Sequence, residues 1–510
     1  MRLDLKKLPF GQTRSRHLLF EETDPRGLGW EKGLYLALAT ESGSMFGGFV
    51  ARSAGFILVT PTVDGAAAAY TAEATPGEAA LHCQGGGTLR LAIDGPALLV
   101  RSDGPGLRLK VRLGHGETVS ETPRGYELNM GATKYIIAAR KGKTSLEVGW
   151  DLVGLHSTDP VLTLDPVDGQ LDLVLWDTDA TYELPEIAAD EAAAAEKAAA
   201  AFQAFRAGLR GGDELAAYVL WLGYGAMRGE NLLIANKIGD NRAVALEQVA
   251  GAMAMKEPAD VIAALSAMLR LHTPGGLIPA WVKGSAIVPE AAPPLWGLAL
   301  ADLDWDTVPA GELAAFYELL YKAVGWWLRE RSTADGACFY AYPHECGWTG
   351  MALLAFGEPA VTPDLAAYML LNCQALSRIA GKLGRRGEEL EWLARAERQR
   401  ELLGELWDGG RFCCRSALGG QQAACRTALG LLPLALGKDC PEAIRAALLP
   451  QAAALEPGRA NPLLAGLVAL GCPPLAEKLA RRGAEKADAG AGAAYDPAMC
   501  ALLLALNERS

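Results

Sequence analysis

The first third of the chain contains short apolar runs that alternate with polar residues. Between about residue 15 and residue 185, segments such as GGFVARSAGFILVTPTV, TLRLAIDGPALLVRS and LDLVLWDT are separated by Gly, Asp and Pro. Alternation with a period of two, interrupted by turn residues, is typical of strands that bury one face. Residues 1–185 are therefore predicted to form an antiparallel β-sandwich domain.

Three consecutive glycines, Gly85, Gly86 and Gly87, lie between two of these apolar runs. A glycine-rich phosphate loop continues into Lys-Ser or Lys-Thr at the start of a helix, and that dipeptide does not follow here. The triplet therefore predicts a turn between strands rather than a nucleotide site.

The pattern changes at residue 186, where the strongly helix-forming stretch IAADEAAAAEKAAAAFQAFRAGL begins. Some later segments, such as LLPLALG and NPLLAGLVALG, are apolar on nearly all sides, so we expect inner helices covered by an outer ring. Residues 186–510 are thus predicted to form a second domain of paired helices, since an open solenoid would need a fixed repeat that we do not find. Helices are predicted at about 213–228, 241–255, 258–272, 311–330, 363–383, 386–406, 421–436, 441–454, 473–482 and 495–507.

Length and charge narrow the possible partners and locations. A chain of 510 residues is too long for one hydrophobic core, which agrees with two domains. Its 48 basic and 60 acidic residues give a net charge of -12, and this excess disfavours nucleic acid because no basic stripe offers counterion release. The N-terminus, MRLDLKKLPFGQTRSR, has no apolar run that could serve as a signal-peptide core, and no later stretch approaches the length of a membrane span, so we expect a cytoplasmic protein with no membrane partner.

Cysteine and histidine spacing gives no indication of a metal or another cofactor. Nine of the ten cysteines follow residue 330, none forms a CxxC pair, and Cys413 and Cys414 are adjacent, so free thiols in a reducing compartment are expected. The six histidines form no HExxH motif and no paired Cys/His spacing. We therefore predict neither a metal site nor a cofactor.

Several segments of the helical half, in the same order, carry a family resemblance. ECGWTG at 345–350 is similar to Glu-Ser-Gly-Trp-Asp, and PDLAAYMLLN retains Asp364 and Leu365 of a helix that begins Asp-Leu-Asn. LEQVAGAMAM at 246–255 aligns with a helix that begins Trp-Asp-Ser. GGLIPAWV and APPLWGLAL are similar to Gly-Leu-Ile-Pro and Gln-Pro-Pro segments. Together these segments resemble the six-hairpin glycosidases of families 37 and 63, which include trehalase and mannosylglycerate hydrolase.

The resemblance implies a fold and a reaction. The helical half is expected to be an (α/α)6 toroid that holds a sugar, behind the N-terminal β-sandwich. Enzymes of this type invert the anomeric centre with one carboxylic acid and one carboxylate roughly 6.5 to 9.5 Å apart. The expected partner is therefore a small carbohydrate or glycoside.

The general base is assigned by this resemblance to Glu485. AEKADAGAG at 484–492 resembles trehalase's Glu-Lys-Tyr-Asp and the glycine-rich turn after it, with Ala487 in place of the tyrosine. The alternative is a solvated helix end, where such charges are common.

At the position of the family's general acid, this chain has a different residue. Thr349 occupies the place of the Asp that closes Glu-Ser-Gly-Trp-Asp, and a hydroxyl is far too weak an acid to protonate a leaving group. Glu345 is the preferred replacement acid or hydroxyl ligand, and its alternative is a structural carboxylate bonded to backbone N–H groups. Glu247 is the second candidate, and its alternative is a helix-surface glutamate.

Aromatic and polar side chains near these motifs are candidates for substrate binding. Trp348, Trp281 and Trp296 offer flat rings on which a sugar can stack, although each alone fits core packing as well. Tyr342 and His344 share the loop of Glu345, and with Thr349 they complete the predicted set of hydroxyl-binding residues. His272 and His344 raise a different possibility, an epimerase with two histidines as acid and base.

Two functions from different classes follow. The first is an inverting hydrolase of a small α-glycoside, with Glu485 as base and a displaced acid. The second is a catalytically degenerate carbohydrate-binding or scaffold protein of the same fold. GWTG at 347–350 also resembles a stretch of the α-rhamnosidases, although the surrounding segments resemble that family less.

Overall fold

The computed structural model describes most of the chain. The described residues are 1–22, 31–38, 56–111, 113, 117–130, 133–153, 156–157, 159–178, 186–228, 231–234, 242–283, 286–288, 290–346, 359–425, 428–453 and 497–507. Among the described helices, none combines the length and the apolar character that crossing a lipid bilayer requires.

The N-terminal third is built from short antiparallel strands. In chain order they are β1 (Phe10–Gly11), β2 (His17–Glu22), β3 (Gly33–Leu38), β4 (Ile57–Val63), β5 (Ala66–Ala67), β6 (Tyr70–Ala74), β7 (Glu78–Cys83), β8 (Thr88–Asp94), β9 (Ala97–Asp103), β10 (Gly106–Val111), β11 (Thr118–Thr122), β12 (Gly125–Met130), β13 (Thr133–Lys141), β14 (Lys143–Glu147), β15 (Trp150–Asp151), β16 (His156–Ser157), β17 (Val161–Asp165) and β18 (Gln170–Thr178). One eight-stranded sheet has the order β1-β2-β3-β4-β10-β17-β14, with β5 paired to β4. The other has the order β11-β12-β13-β18-β9-β8-β7-β6. Two antiparallel sheets in this region agree with the alternating sequence pattern.

Alternate residues of the central strands face two different hydrophobic layers. Leu171, Leu173 and Leu175 of β18 lie in the main core with residues of the first sheet. Val174 and Trp176 of the same strand belong to a second cluster on the opposite face. Because both faces of β18 are covered there, residues 173–176 of this strand are apolar without interruption.

The glycine triplet forms the predicted turn. Gly85, Gly86 and Gly87 connect β7 to β8 and have φ values of +100°, +108° and +85°, a region that favours glycine. A Cβ added to Gly87 would lie 2.2 Å from the backbone oxygen of Asp103. The turn prediction is confirmed.

Helices dominate after residue 190. They are α1 (Glu191–Ala207), α2 (Glu214–Gly223), α3 (Ala245–Met253), α4 (Pro258–Leu269), α5 (Trp296–Leu300), α6 (Ala310–Glu330), α7 (Pro363–Lys382), α8 (Arg386–Glu405), α9 (Glu442–Ala453) and α10 (Pro497–Asn507), with 3-10 helices at Trp305–Thr307, Pro343–Cys346 and Ala428–Asp439. Short strands lie between them: β19 (Tyr224–Arg228), β20 (Asn231–Ile234), β21 (Ala243–Val244), β22 (Trp281–Lys283), β23 (Ala286–Ile287), β24 (Ala360–Val361), β25 (Cys413–Ser416) and β26 (Gln422–Ala424).

The helix α1 packs on the β-sheet. The side chain of Asp190 caps it by accepting a hydrogen bond from the Ala193 amide, which satisfies one of the free N–H groups of the first turn. Ala194 then packs into the second cluster with residues of β8, β9 and β18. This helix therefore covers the outer face of the second sheet.

Several of the remaining helices pack against the next helix in the chain, and α10, the last described helix, packs against two early ones. The helix α3 packs on α4, α6 on α7 and α7 on α8, whereas α10 packs on both α2 and α3. The interface of α5 with α7 is close, since a Cβ on Gly297 would lie 2.6 Å from the Leu371 Cβ and 2.8 Å from the Asn372 backbone nitrogen. Within it, Asn372 Nδ2 donates hydrogen bonds to the Pro294 and Tyr368 carbonyl oxygens, at 2.6 and 2.8 Å.

The helix expected over 241–255 begins only at Ala245, after the strand Ala243–Val244, and the one expected over 473–482 lies outside the described residues. Two further predicted helices differ more from the structure. The helix expected over 213–228 ends at Gly223, and Tyr224–Arg228 is a strand that pairs with Asn231–Ile234. The helix expected over 421–436 is wrong at its start, where Gln422–Ala424 pairs with Cys413–Ser416 before a 3-10 helix begins. In both cases a partner strand outweighs local helix propensity.

Candidate functional site

The motif that begins with Glu345 lies at the end of a short, well-bonded turn. We call residues 341–346 the site turn; it follows a β-bridge between Tyr340 and Ala360 and includes the 3-10 helix Pro343–Cys346. The residues after it, 347–358, lie outside the described part of the chain. Trp348 and Thr349 are among them, and Glu485 also lies outside the described residues, so the predicted roles of these three remain predictions.

Glu345 is buried beneath the site turn, with 1% of its surface exposed. Its Oε2 accepts hydrogen bonds from the backbone amides of Ala341, at 2.6 Å, and Tyr342, at 3.4 Å. Its Oε1 accepts one from Arg331 Nη2 at 3.1 Å. Both carboxylate oxygens are thus used inside the protein, which is the arrangement expected of a carboxylate that organises a loop.

Arg331, directly after α6, supports this carboxylate. Its guanidinium lies over the Trp326 ring, 5.1 Å from the ring centroid. The side chain is 23% exposed, and that of its partner Glu345 is 1% exposed. A stacked guanidinium is held in one orientation, so the ion pair fixes the site turn against the end of α6.

Tyr342 and His344 lie on the outer side of the site turn. Tyr342 is 61% exposed, which is unusual for an aromatic side chain, and His344 is also exposed. Both are therefore accessible to a ligand, whereas Glu345 faces the interior. The predicted grouping of these three residues on one loop is observed, although their side chains point to different environments.

Asp364, in the first turn of α7, lies behind the site turn and is fully buried. The hydroxyl of Tyr340, also fully buried, donates to Asp364 Oδ2 at 2.9 Å. Burial raises the pKa of Asp364 to about 6, although the hydroxyls of Thr362 and Tyr340 and two backbone amides act in the opposite direction. Sequence reasoning matched Asp364 to a family motif but did not assign it to the site. A lone carboxylate in an otherwise apolar helix face was the available signal.

A second group of candidate residues lies around the hairpin of β21 and β22. Trp281 is half-buried and pairs across the strands with Val244, and the Arg242 guanidinium lies 5.0 Å from its ring centroid. Glu247 follows in the first turn of α3 and is also half-buried. One face of the Trp281 ring is thus covered by a cation, and Glu247 begins the helix that continues from the same strand.

Trp296 is part of the hydrophobic core, and half-buried His272 has polar contacts within the protein. Trp296 begins α5, is 1% exposed and belongs to the main hydrophobic core. The Nδ1 of His272 lies 2.8 Å from the Thr273 carbonyl oxygen, and its Nε2 lies 3.4 Å from Lys322 Nζ. The burial of Trp296 suits its packing alternative.

Among the described residues, side chains that could bind a metal ion are not clustered. No three or more His, Cys, Asp or Glu side chains there lie close enough together to hold a metal ion. The nine cysteines that the structure describes form no disulfide with one another, and seven of them are buried.

One protein-family model matches the part of the chain that holds the site turn. Residues 283–458 match the model of the mannosylglycerate hydrolase MGH1-like glycoside hydrolase domain, a range that also includes Asp364. No curated protein sequence matches the chain at a significant level.

Solved structures of family GH92 mannosidases share the fold. A family GH92 α-mannosidase from Bacteroides thetaiotaomicron, in complex with mannoimidazole, is 10% identical with a TM-score of 0.56, over 99% of this chain and 82% of that one. A family GH92 inverting mannosidase from the same organism is 12% identical with a TM-score of 0.50, over 84% and 67% of the two chains. The GH63 mannosylglycerate hydrolase from Thermus thermophilus, in complex with glucose, is 18% identical with a TM-score of 0.46, over 57% and 98%.

The family match and the shared fold agree with the ordered motifs of the helical half. At these identities the structural likeness is one of fold, and the family match covers the segment that holds APPLWGLAL, ECGWTG and PDLAAYMLLN. The predicted resemblance is confirmed: this chain is similar to the GH63-like six-hairpin glycosidases, with its match to the MGH1-like glycoside hydrolase domain in residues 283–458.

Proposed function

We propose that this chain is an inverting glycoside hydrolase that acts on a small α-glycoside. The observation that carries the proposal is the site turn. It lies within the match to a glycoside hydrolase domain, begins the best-matched motif and exposes Tyr342 and His344. An exposed aromatic ring beside a hydrogen-bonding side chain suits a sugar, which offers both C–H faces and hydroxyl groups.

The fold that we propose for the helical half is an (α/α)6 toroid. The packing of α10 on α2 and α3 supports it, since a ring requires the last helices to return to the first. The change from strands to helices supports a domain boundary between 185 and 186, because β18 ends at Thr178 and α1 begins at Glu191. The β-domain of residues 1–185 then packs against a toroid of residues 186–510.

The proposed chemistry needs a base and an acid on opposite faces of the sugar ring. We assign the base to Glu485 from its place in the family motif. Since both oxygens of Glu345 are bonded inside the protein, we propose that it holds the site turn, which leaves Glu247 as the displaced acid. Glu247 is half-buried in the first turn of α3, and partial burial of a carboxyl favours the protonated form that an acid needs.

The proposed substrate class is a small α-mannoside or α-glucoside. The fold is shared with mannosidases of family GH92, one of them named as inverting, and the matched family model is that of mannosylglycerate hydrolase. Partners other than a small carbohydrate are not needed for this reaction.

Glycosyl fluorides test this proposal directly, because fluoride leaves with little acid assistance. α-Mannosyl and α-glucosyl fluoride should be hydrolysed to the β-anomer, as followed by proton NMR, and Glu485→Gln should abolish the reaction without a large change in melting temperature. With Glu247 as the acid, an ordinary disaccharide should be hydrolysed as well, with a bell-shaped pH profile. Glu247→Gln should then lower that hydrolysis by about two to four orders of magnitude, the usual contribution of a positioned general acid, and should affect the fluorides much less.

Glu388→Gln is the matched control, since Glu388 is a partly exposed carboxylate on α8. Turnover that persists in Glu485→Gln would remove that residue from the mechanism. Turnover to the α-anomer would contradict inversion.

A catalytically degenerate carbohydrate-binding protein is the second candidate function. Two observations favour it: Thr349 replaces the family acid, and the carboxylate of Glu345 is fully engaged. It predicts that titration calorimetry detects mannose or glucose binding that Tyr342→Ala weakens, while no fluoride is hydrolysed by the wild type or by a folded Thr349→Asp variant.

A further inference from the structure

A buried carboxyl group lies directly behind the exposed site turn. We propose that Asp364 is a positioning residue of the candidate site, which acts through the hydroxyl of Tyr340 to fix the site turn. The part of this inference that concerns carbohydrate binding rests on the proposed function. The placement of the turn itself rests only on contacts between described residues.

Tyr340 connects Asp364 to the turn because it is held from three sides. Its hydroxyl donates to Asp364 Oδ2 at 2.9 Å, and its backbone nitrogen and oxygen pair with those of Ala360, both at 2.9 Å. Its ring and that of Trp327 are nearly perpendicular, with ring centroids 5.8 Å apart. Since Tyr340 is fully buried, water cannot replace a lost partner without disturbing this packing.

Ala341, which follows Tyr340, connects it to the carboxylate of Glu345 in the site turn. The amide of Ala341 donates to Glu345 Oε2 at 2.6 Å, and Glu345 Oε1 in turn accepts from Arg331. The orientation of an amide is fixed by the residue before it, so a shift of Tyr340 moves a donor of Glu345. A continuous set of hydrogen bonds therefore connects Asp364 to the base of the exposed turn.

The groups that face Asp364 are neutral at ordinary pH. Titratable side chains from three elements interact with it electrostatically, namely those of Tyr340, Tyr368 on α7 and Cys414 on β25. Burial raises the pKa of both tyrosines well above the usual value, and a hydrogen bond with Cys425 together with burial raises the pKa of Cys414. Asp364 is therefore the member of this cluster whose charge changes near neutral pH.

That charge changes the strength of the connection to the turn. A phenol donates a shorter and stronger hydrogen bond to a carboxylate than to a neutral acid, by a factor of roughly two in energy. The backbone amides of Asp364 and Leu365 at the start of α7 also favour the ionised form. The site turn should therefore be held more firmly above pH 6 than below it.

Hydrogen exchange of the site turn, measured by mass spectrometry on the full chain, tests the inference. The amides of Ala341 and Tyr342 should exchange at least about tenfold faster in Asp364→Ala and in Tyr340→Phe, the effect of losing one buried hydrogen bond. Asp364→Asn keeps an acceptor for Tyr340 and should restore most of the protection.

A control and a pH series separate positioning from general packing. Tyr317→Phe removes another buried phenol that donates to a carboxylate, that of Glu388, and should leave the site turn unchanged. In the wild type, protection corrected for intrinsic exchange should rise between about pH 5 and pH 7, on either side of the pKa of Asp364. In Asp364→Asn it should not, because the amide does not titrate.

Three outcomes would decide the question. Unchanged exchange of the site turn in both Asp364→Ala and Tyr340→Phe would overturn the inference, as would an equal increase in β18, which would indicate a loss of overall stability. If Asp364→Ala fails to fold, the isosteric Tyr340→Phe still gives the answer. A loosened turn in a protein whose wild type neither binds nor hydrolyses any glycosyl fluoride would support the positioning role and overturn the proposed function alone.

Discussion

Replacing the buried Asp364 by asparagine should stabilise the protein, and by an amount that depends on pH. Burial raises the pKa of Asp364 from 3.8 to about 6 in the folded state, so the folded chain holds the proton more tightly than the unfolded chain. The stability contributed by the protonated carboxyl is present below pH 3.8 and is lost as the pH rises through 6. Asparagine, which does not titrate, avoids this loss.

The expected difference follows from these two pKa values. The free energy of unfolding of Asp364→Asn should exceed that of the wild type by about 3 kcal/mol at pH 7, by about 1.5 kcal/mol at pH 5 and by only about 0.5 kcal/mol at pH 4. The shape of the site favours an amide as well. Its oxygen can accept from the Tyr340 hydroxyl in place of the carboxylate oxygen, and its nitrogen can donate to the Thr362 hydroxyl, which lies beside the carboxyl.

Urea unfolding followed by circular dichroism, at several pH values from about 4 to 7.5, measures this difference. Other titrating groups, such as the buried His17, are present in both proteins and cancel in the comparison. A stability difference that does not change with pH would show that Asp364 keeps an ordinary pKa and would refute the reasoning. A gain in stability accompanied by a looser site turn would indicate that the carboxyl is carried for function rather than for folding.

Three further predictions concern groups that the structure places in tight or buried positions. Burial lowers the pKa of His17 from 6.5 to about 3, so the unfolded chain binds the extra proton as the pH falls. The free energy of unfolding of the wild type relative to His17→Leu, measured with urea, should therefore fall by about 2 kcal/mol from pH 7 to pH 5, and a difference that does not change with pH would contradict this shift. Gly297→Ala should cost about 1 to 3 kcal/mol in thermal unfolding, because the new Cβ would lie 2.8 Å or less from atoms of α7, and an unchanged melting temperature would contradict this packing. Glu345→Ala should lower the free energy of unfolding by about 3 to 5 kcal/mol, because it leaves Arg331 without its buried partner. Glu345→Gln should lower it clearly less. Equal losses in urea unfolding would show that the charge of Glu345 is unimportant.

Local sequence determined the long helices and the antiparallel sheets. The helices α6, α7 and α8 begin and end within one residue of their predicted bounds, since helix formers fill them and Pro or Gly limits them. Local sequence did not determine Tyr224–Arg228 or Gln422–Ala424, which lie in segments with a helical pattern. They are strands because each has a partner strand a few residues away, and such pairing depends on the packing of both strands.

The family motifs in the sequence located the candidate site, and the tertiary structure decided what its carboxyl groups do. Nothing in the sequence alone distinguishes the environment of Glu345, in a short turn, from that of Asp364, in the first turn of a helix. The structure surrounds Glu345 with Arg331 and two amides, whereas Asp364 is enclosed by neutral groups that come from three separate elements. The protonation of a buried acid depends on desolvation and on neighbours brought together by folding, and for that reason only the folded chain could separate the two.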